Sequence, residues 1–229
     1  MGVHLYAHKL SYFSVPKCAC TSLKTFFFEV ENGEPFRPFR ANGKLRHIHN
    51  AAYGSKPFER EAHPEMADHW KAAIVRDPVD RVVSAYANRV LGHRCLAGIA
   101  LTEEDREKGL TECPDLPTFA RHLWRYRKLS RDVEHHVAAL THFLGRDASY
   151  YDALYPMSGV GQFVEDVAAR IGPVPALQRM QTSGGQKVGR EQLGPRVIAK
   201  IERMYAADYE TYGHVFAARP QTVAAPAGA

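Results

Sequence analysis

Twice in this chain a short apolar strand runs into a tight turn and then into the start of a helix. Leu10-Ser11-Tyr12-Phe13-Ser14-Val15 is rich in aromatic and β-branched residues and reads as a buried strand over 10–15. Pro16 to Cys20 form a turn. Leu23, Phe26, Phe27 and Val30 then recur at helical spacing, so 21–31 reads as a helix that Asn32-Gly33 stops. Ala72-Ala73-Ile74-Val75 is the second strand. After it Asp77 suits a helix N-cap and Pro78 the first helical position, and Val79, Val82, Val83, Tyr86 and Val90 share one apolar face. Strands separated by helices predict an α/β fold with a largely parallel sheet. With parallel strands, both junctions open on the edge of the sheet where such folds bind ligands.

The rest of the chain reads as helices joined by loops. Residues 32–69 and 92–117 are loop-rich. Residues 118–129 form a basic amphipathic helix, 158–171 another helix, 172–195 a Gly/Pro-rich loop, and 196–212 the last helix. The 229 residues suit one domain over 1–217, with an Ala/Pro-rich tail over 218–229 expected to be disordered. A formal net charge of +5 permits an anionic ligand without requiring one. No run of about 18 apolar residues occurs, so no membrane span is expected. The first residues do not form a signal peptide, and a cytoplasmic location is expected, or a peripheral one at the inner membrane. Four cysteines are too few for a disulfide scaffold. Cys18-Ala19-Cys20 is too tight for the usual zinc spacing, and no metal is expected. A Cys95–Cys113 bridge is left open by the sequence.

The first turn, Val15-Pro16-Lys17-Cys18-Ala19-Cys20-Thr21-Ser22, has the makings of an anion site. Amides at a helix N-terminus point into the loop, and the helix dipole favours negative charge there. Small residues admit a phosphate to the backbone, Lys17 adds a positive charge, and Thr21 and Ser22 add hydroxyls. An ATP P-loop needs Gly-x-x-x-x-Gly-Lys-Ser/Thr, and this loop has no glycine. A cysteine phosphatase would place an arginine after its nucleophile, where Lys24 stands, so Cys18 and Cys20 read as small loop residues.

At the second turn Arg76 ends a strand and Ser84 lies about two helical turns beyond Asp77, so that both can converge on one phosphate. Val-Pro-Lys-x-x-x-Thr-Ser-Leu, from Val15, resembles the 5′-phosphosulfate loop of the sulfotransferase superfamily. Arg76-Asp77-Pro78-x-x-Arg81-x-x-Ser84-x-Tyr86 resembles its 3′-phosphate motif, and Ile201 to Tyr212 the closing helix of its carbohydrate (Golgi-type, family 2) branch. This resemblance implies a P-loop-NTPase-like three-layer fold. It also implies 3′-phosphoadenosine-5′-phosphosulfate (PAPS) as donor, its product adenosine 3′,5′-bisphosphate (PAP), and a carbohydrate or other hydroxyl-bearing acceptor. Lys17, Cys18, Ala19, Cys20, Thr21 and Ser22 would then hold the 5′ end, and Lys17 would neutralise the leaving oxygen. Arg76 and Ser84 would hold the 3′-phosphate, with Arg81 structural, for instance paired with Asp77. Ser183 or Lys187 in the late Gly-rich loop would close over the nucleotide.

Sulfuryl transfer also needs a group to take the acceptor's proton. Arg46-His47-Ile48-His49 resembles a His-x-His pair that supplies the base in one uronyl branch, and in an extended segment both rings would share a face. His49 is preferred over His47. His136, of the pair His135-His136, and Arg125, which recurs at helical spacing with Arg121, Lys128 and Arg131, are candidates for the acceptor side. Two other readings stay open. A nucleotide-dependent kinase lacks its Gly-Lys-Ser/Thr here. A non-catalytic polyanion-binding module, of the kind that holds polysaccharide or nucleic acid, would bind without turnover; nucleic acid is not the expected partner.

Overall fold

The computed structural model describes residues 2–61, 63–178 and 188–216. Along the chain come β1 (Val3–Leu5), β2 (Leu10–Phe13) and α1 (Cys20–Asn32), then a hairpin of β3 (Phe39–Ala41) and β4 (Lys44–Arg46), and α2 (Ile48–Ala51). After these follow β5 (Trp70–Val75), α3 (Pro78–Ala85), α4 (Glu103–Glu107), α5 (Leu116–Arg121), α6 (Leu123–Leu129), α7 (Arg131–Val137) and α8 (Leu140–Leu144). The last elements are β6 (Ala153–Pro156), α9 (Val160–Ile171), α10 (Pro195–Met204) and α11 (Ala206–Phe216).

The main sheet has the order β1-β2-β5-β6. β1 pairs antiparallel to β2, while β2–β5 and β5–β6 are parallel, with Phe13 opposite Ala73 and Ile74 opposite Tyr155. The fold is thus α/β with a mixed, mainly parallel sheet between helices, as the sequence predicts. All of β2 is buried, and its alternating side chains show the layers. Tyr12 stacks on Phe27 of α1 at 5.6 Å and packs on Phe163 of α9 at 5.5 Å. Phe13 packs against Tyr150 and Tyr151, at 5.6 and 5.3 Å, on the other face. A strand covered on both sides reads as a continuous apolar run, which is why 10–15 was legible. A second apolar core lies among α3, α5–α7 and α10, around Val82, Phe119, Leu123, Tyr126 and Ile201.

The N-cap of α3 is as expected: Asp77 Oδ1 accepts from Val79 N at 2.8 Å and Asp80 N at 3.3 Å, and Pro78 opens the helix. Beyond Ala85 the helix continues as a π-helical stretch over Tyr86–Gly92. Two expected single helices are each divided. The basic stretch breaks at His122 into α5 and α6, and the final helix breaks at Tyr205 into α10 and α11. Cys95 and Cys113 are both free thiols.

The closing helix staples the parts together. Asp208 is 0% exposed and accepts from the backbone N–H of Leu140 (2.7 Å) and Thr141 (2.9 Å) and from the Thr141 hydroxyl (3.1 Å), capping α8. The Tyr205 hydroxyl donates to Val137 O at 2.5 Å and that of Tyr212 to Leu144 O at 3.0 Å. Polar residues at this spacing on one buried face are satisfied one by one, as burial demands.

Candidate functional site

β2 and β5 are parallel neighbours, so their carboxyl ends, and the two turns that follow, lie side by side. In the first turn Lys17 (φ 68°) and Ala19 (φ 55°) both take the left-handed conformation. That backbone swings into α1 with Ala19 as its N-cap, and no side chain caps the helix. The first intrahelical bond is Leu23 N to Ala19 O at 3.0 Å. The amides of Cys20 and Thr21 therefore precede the ladder and point into the turn, a concavity for an anion. Cys18 plays a narrower part. Its amide closes the turn onto Val15 O at 3.2 Å, and its side chain is 0% exposed, with burial pushing the thiol up to about 11. It is a neutral packing residue, not a nucleophile.

Positive charge converges on this turn. Burial, together with the nearby guanidiniums of Arg76 and Arg89, lowers the Lys17 ammonium to about 8. A cation so strained is relieved by an incoming anion. Among the described residues, no carboxylate lies within ion-pair distance of Arg76, while Arg89 meets Asp132 at 2.7 Å. Arg89 was missed by the sequence reading. It lies in the π-helical stretch just past the Arg76–Ser84 motif, a distortion that often marks functional positions. Ser84 is half-buried on α3, and its hydroxyl makes no hydrogen bond among the described residues.

Arg81 is structural, as expected, but its partner is not Asp77. It is 1% exposed, and it donates from Nη2 to Ala138 O at 2.8 Å and from Nε to Pro16 O at 3.4 Å. The reason is geometric: the Asp77 carboxylate is turned back to cap its own helix. Arg81 thus ties the first turn, through Pro16, to α3 and to the α7–α8 junction. Its guanidinium has no carboxylate within ion-pair distance among the described residues, and its charge rests on those two carbonyls.

The histidine segment is not extended. His47 is exposed, and its amide donates to Asn50 Oδ1 at 2.7 Å at the start of α2. His49 is inside the helix and points the other way, so the two rings do not share a face. His49 Nε2 meets Thr21 Oγ1 at 2.9 Å, and Nδ1 meets Lys24 Nζ at 3.4 Å. Burial first, then Lys24 and the rings of His136, His135 and His47, lower the His49 imidazole to about 4. Lys24, which the sequence reading considered only as a failed arginine, is 0% exposed, and burial lowers it to about 8.

On α7, His136 Nδ1 donates to Asp132 O at 2.7 Å and lies 3.3 Å from Asp132 Oδ1, and Nε2 has no hydrogen-bond partner among the described residues. Burial raises the Asp132 carboxyl, but the hydrogen bonds from His136 and Arg89 outweigh it and hold the group well below its usual range. His135, exposed on the same helix, packs edge-on against the His136 ring at 5.1 Å. Arg125 stands apart: its Nε and Nη2 form a fork on Asp105 at 2.6 and 2.7 Å. Ser183 and Lys187 lie outside the described residues. Arg190, just beyond that segment, reaches Asp80 at 3.6 Å and Asp77 at 3.9 Å.

Among the described residues no cluster of three or more His, Cys, Asp or Glu side chains could hold a metal ion, and no helix is long and apolar enough to cross a membrane. No curated protein and no solved structure matches the chain significantly. A family model does: the one described as the sulfotransferase family matches residues 6–215. That span takes in both strand–turn–helix junctions, the histidine segment and the closing helix, and the chain belongs to the sulfotransferase family, in its family 2 branch.

Proposed function

We propose that this sulfotransferase moves the sulfuryl group of PAPS to a hydroxyl of a carbohydrate or glycolipid, by in-line transfer with a histidine as general base. One observation supports the donor most strongly. Two anion-favouring turns sit side by side on adjacent parallel strands, and the guanidiniums of Arg76 and Arg89 both act on the Lys17 ammonium. A donor with a phosphosulfate at one end and a 3′-phosphate at the other matches two such turns. PAPS, when bound, supplies the activated sulfuryl group and departs as PAP.

Lys17, the amides and small side chains of Ala19 and Cys20, and the hydroxyls of Thr21 and Ser22 grip the 5′ end. Cys18 shapes this loop from beneath. Arg76 and Ser84 hold the 3′-phosphate. Lys17 also neutralises charge on the bridging oxygen as the bond to sulfur breaks. His49 takes the acceptor's proton, because its ring touches the phosphosulfate turn through Thr21 while His47 faces outward. His136, held by Asp132, positions the acceptor on the opposite wall. The carbohydrate class rests on the family 2 branch alone. Incubation with PAPS and a panel of sugars and glycolipids tests the reading. Release of PAP matched by a sulfated product supports it. Stable PAPS with every hydroxyl acceptor, despite tight PAP binding, counts against turnover.

A further inference from the structure

The ring of His49 carries a contradiction when Lys24 is charged. An ammonium at Nζ can only donate, so Nδ1 must accept, and in a neutral imidazole the proton then sits on Nε2. Nε2 is the nitrogen that faces Thr21 and the phosphosulfate turn. In that tautomer His49 has no lone pair to offer an acceptor hydroxyl.

The surroundings of Lys24 resolve this. Its Nζ has three neighbours: Ser55 Oγ at 3.1 Å, Gly54 O at 3.4 Å and His49 Nδ1 at 3.4 Å. A neutral amine has two protons and one lone pair. The two oxygens can take the protons, and the lone pair faces Nδ1–H. Among the described residues no carboxylate lies within ion-pair distance of Lys24, so no ion pair fixes its charge.

We infer that Lys24 is the positioning residue and final proton acceptor of a relay, in which its neutral amine draws the Nδ1 proton of His49 as Nε2 takes the proton of the acceptor hydroxyl. The inference rests on the sulfuryl-transfer reading above. The balance is closed. The hydroxyl O–H bond breaks and an Nε2–H bond forms, the Nδ1–H bond breaks and Lys24 becomes an ammonium, and the acceptor oxygen bonds sulfur as the bridging oxygen leaves. It also explains how a ring lowered to about 4 serves as base, since Lys24, at about 8, is the stronger base behind it. The charged and titratable groups facing the pair are Cys20 on α1, Glu61 ahead of β5, His47 beside α2, and His135 and His136 on α7. Glu61 and Cys20 raise Lys24, while the histidines act on His49.

Nitrogen-15 NMR of histidine-labelled protein reads the relay without any turnover, with His49→Gln to assign the signal. The expected result is an Nε2–H ring below about pH 8 that converts to Nδ1–H above it. One unchanged tautomer from pH 6 to 10 overturns the relay and leaves the sulfuryl-transfer reading standing. Two variants test it kinetically. Lys24→Arg stays protonated and is expected to lower turnover about 100-fold, the scale of general-base catalysis, with PAP affinity nearly unchanged. Wild-type turnover is expected to rise as Lys24 loses its proton near pH 8, and Lys24→Gln, whose amide oxygen can accept from Nδ1–H, is expected to keep more activity than Lys24→Arg and to lose that rise. Full activity in folded Lys24→Arg overturns the relay. Loss of PAP binding in wild-type protein instead sinks the donor assignment, and the NMR result remains decisive for the relay.

Discussion

The hydroxyl of Tyr209 donates to Asp77 Oδ2 at 3.1 Å, while Oδ1 of the same carboxylate caps α3. One side chain therefore couples the closing helix to the turn that bears Arg76. Tyr209→Phe removes a single half-buried hydrogen bond and is expected to cost about 1 kcal/mol in urea denaturation. Asp208→Ala strips both capped amides of α8 as well as the Thr141 hydroxyl, and is expected to cost more, about 2–4 kcal/mol. Equal losses for the two would contradict this ranking.

Arg81 ties the Pro16–Cys20 turn to α3. Arg81→Met leaves the carbonyls of Pro16 and Ala138 without this donor, and unsatisfied buried groups cost about 1–3 kcal/mol each. A stability loss of about 2–4 kcal/mol is expected, with PAP affinity reduced about tenfold, or roughly 1.4 kcal/mol. Unaltered affinity in a folded variant would show that the turn holds its shape without Arg81.

Lys17 gives a pH signature. Its ammonium is lowered to about 8 in the free protein, so above pH 8 the protein must take up a proton to bind an anion there. The bound anion favours the charged form, hence affinity is expected to fall as pH rises through about 8. Calorimetry at pH 8.5 in buffers of different ionisation enthalpy is expected to show net proton uptake, abolished in Lys17→Met. Proton release would contradict this placement of the charge.

The two junctions of the candidate site were legible because they combine signals that point the same way: buried strands, a loop of small residues, and an Asp-Pro helix start. Other parts were hidden for physical reasons. β1 has three residues at the sheet edge, and β6 has four ending in proline, so neither shows a run long enough to stand out. The β3–β4 hairpin did have a local signal. Asn42 and Gly43 both have positive φ, 51° and 70°, the turn that Asn-Gly favours, and it was passed over among the loops. The division at His122 cannot be read from periodicity, since α5 and α6 are each short. Lys24 was hidden because a lysine on an apolar helix face reads as a flank residue. Only the fold brings His49 and Ser55 to its end.

Calorimetric titration with PAP, on wild type and on Arg76→Ala, tests the donor site most directly. Among the described residues Arg76 has no ion-pair partner to lose, so its removal should act on the ligand more than on the fold. Micromolar binding that collapses in the variant, with the melting temperature little changed, is the expected result. No binding by well-folded wild type, or equal binding by both proteins, would contradict the assignment of the two junctions to a single nucleotide.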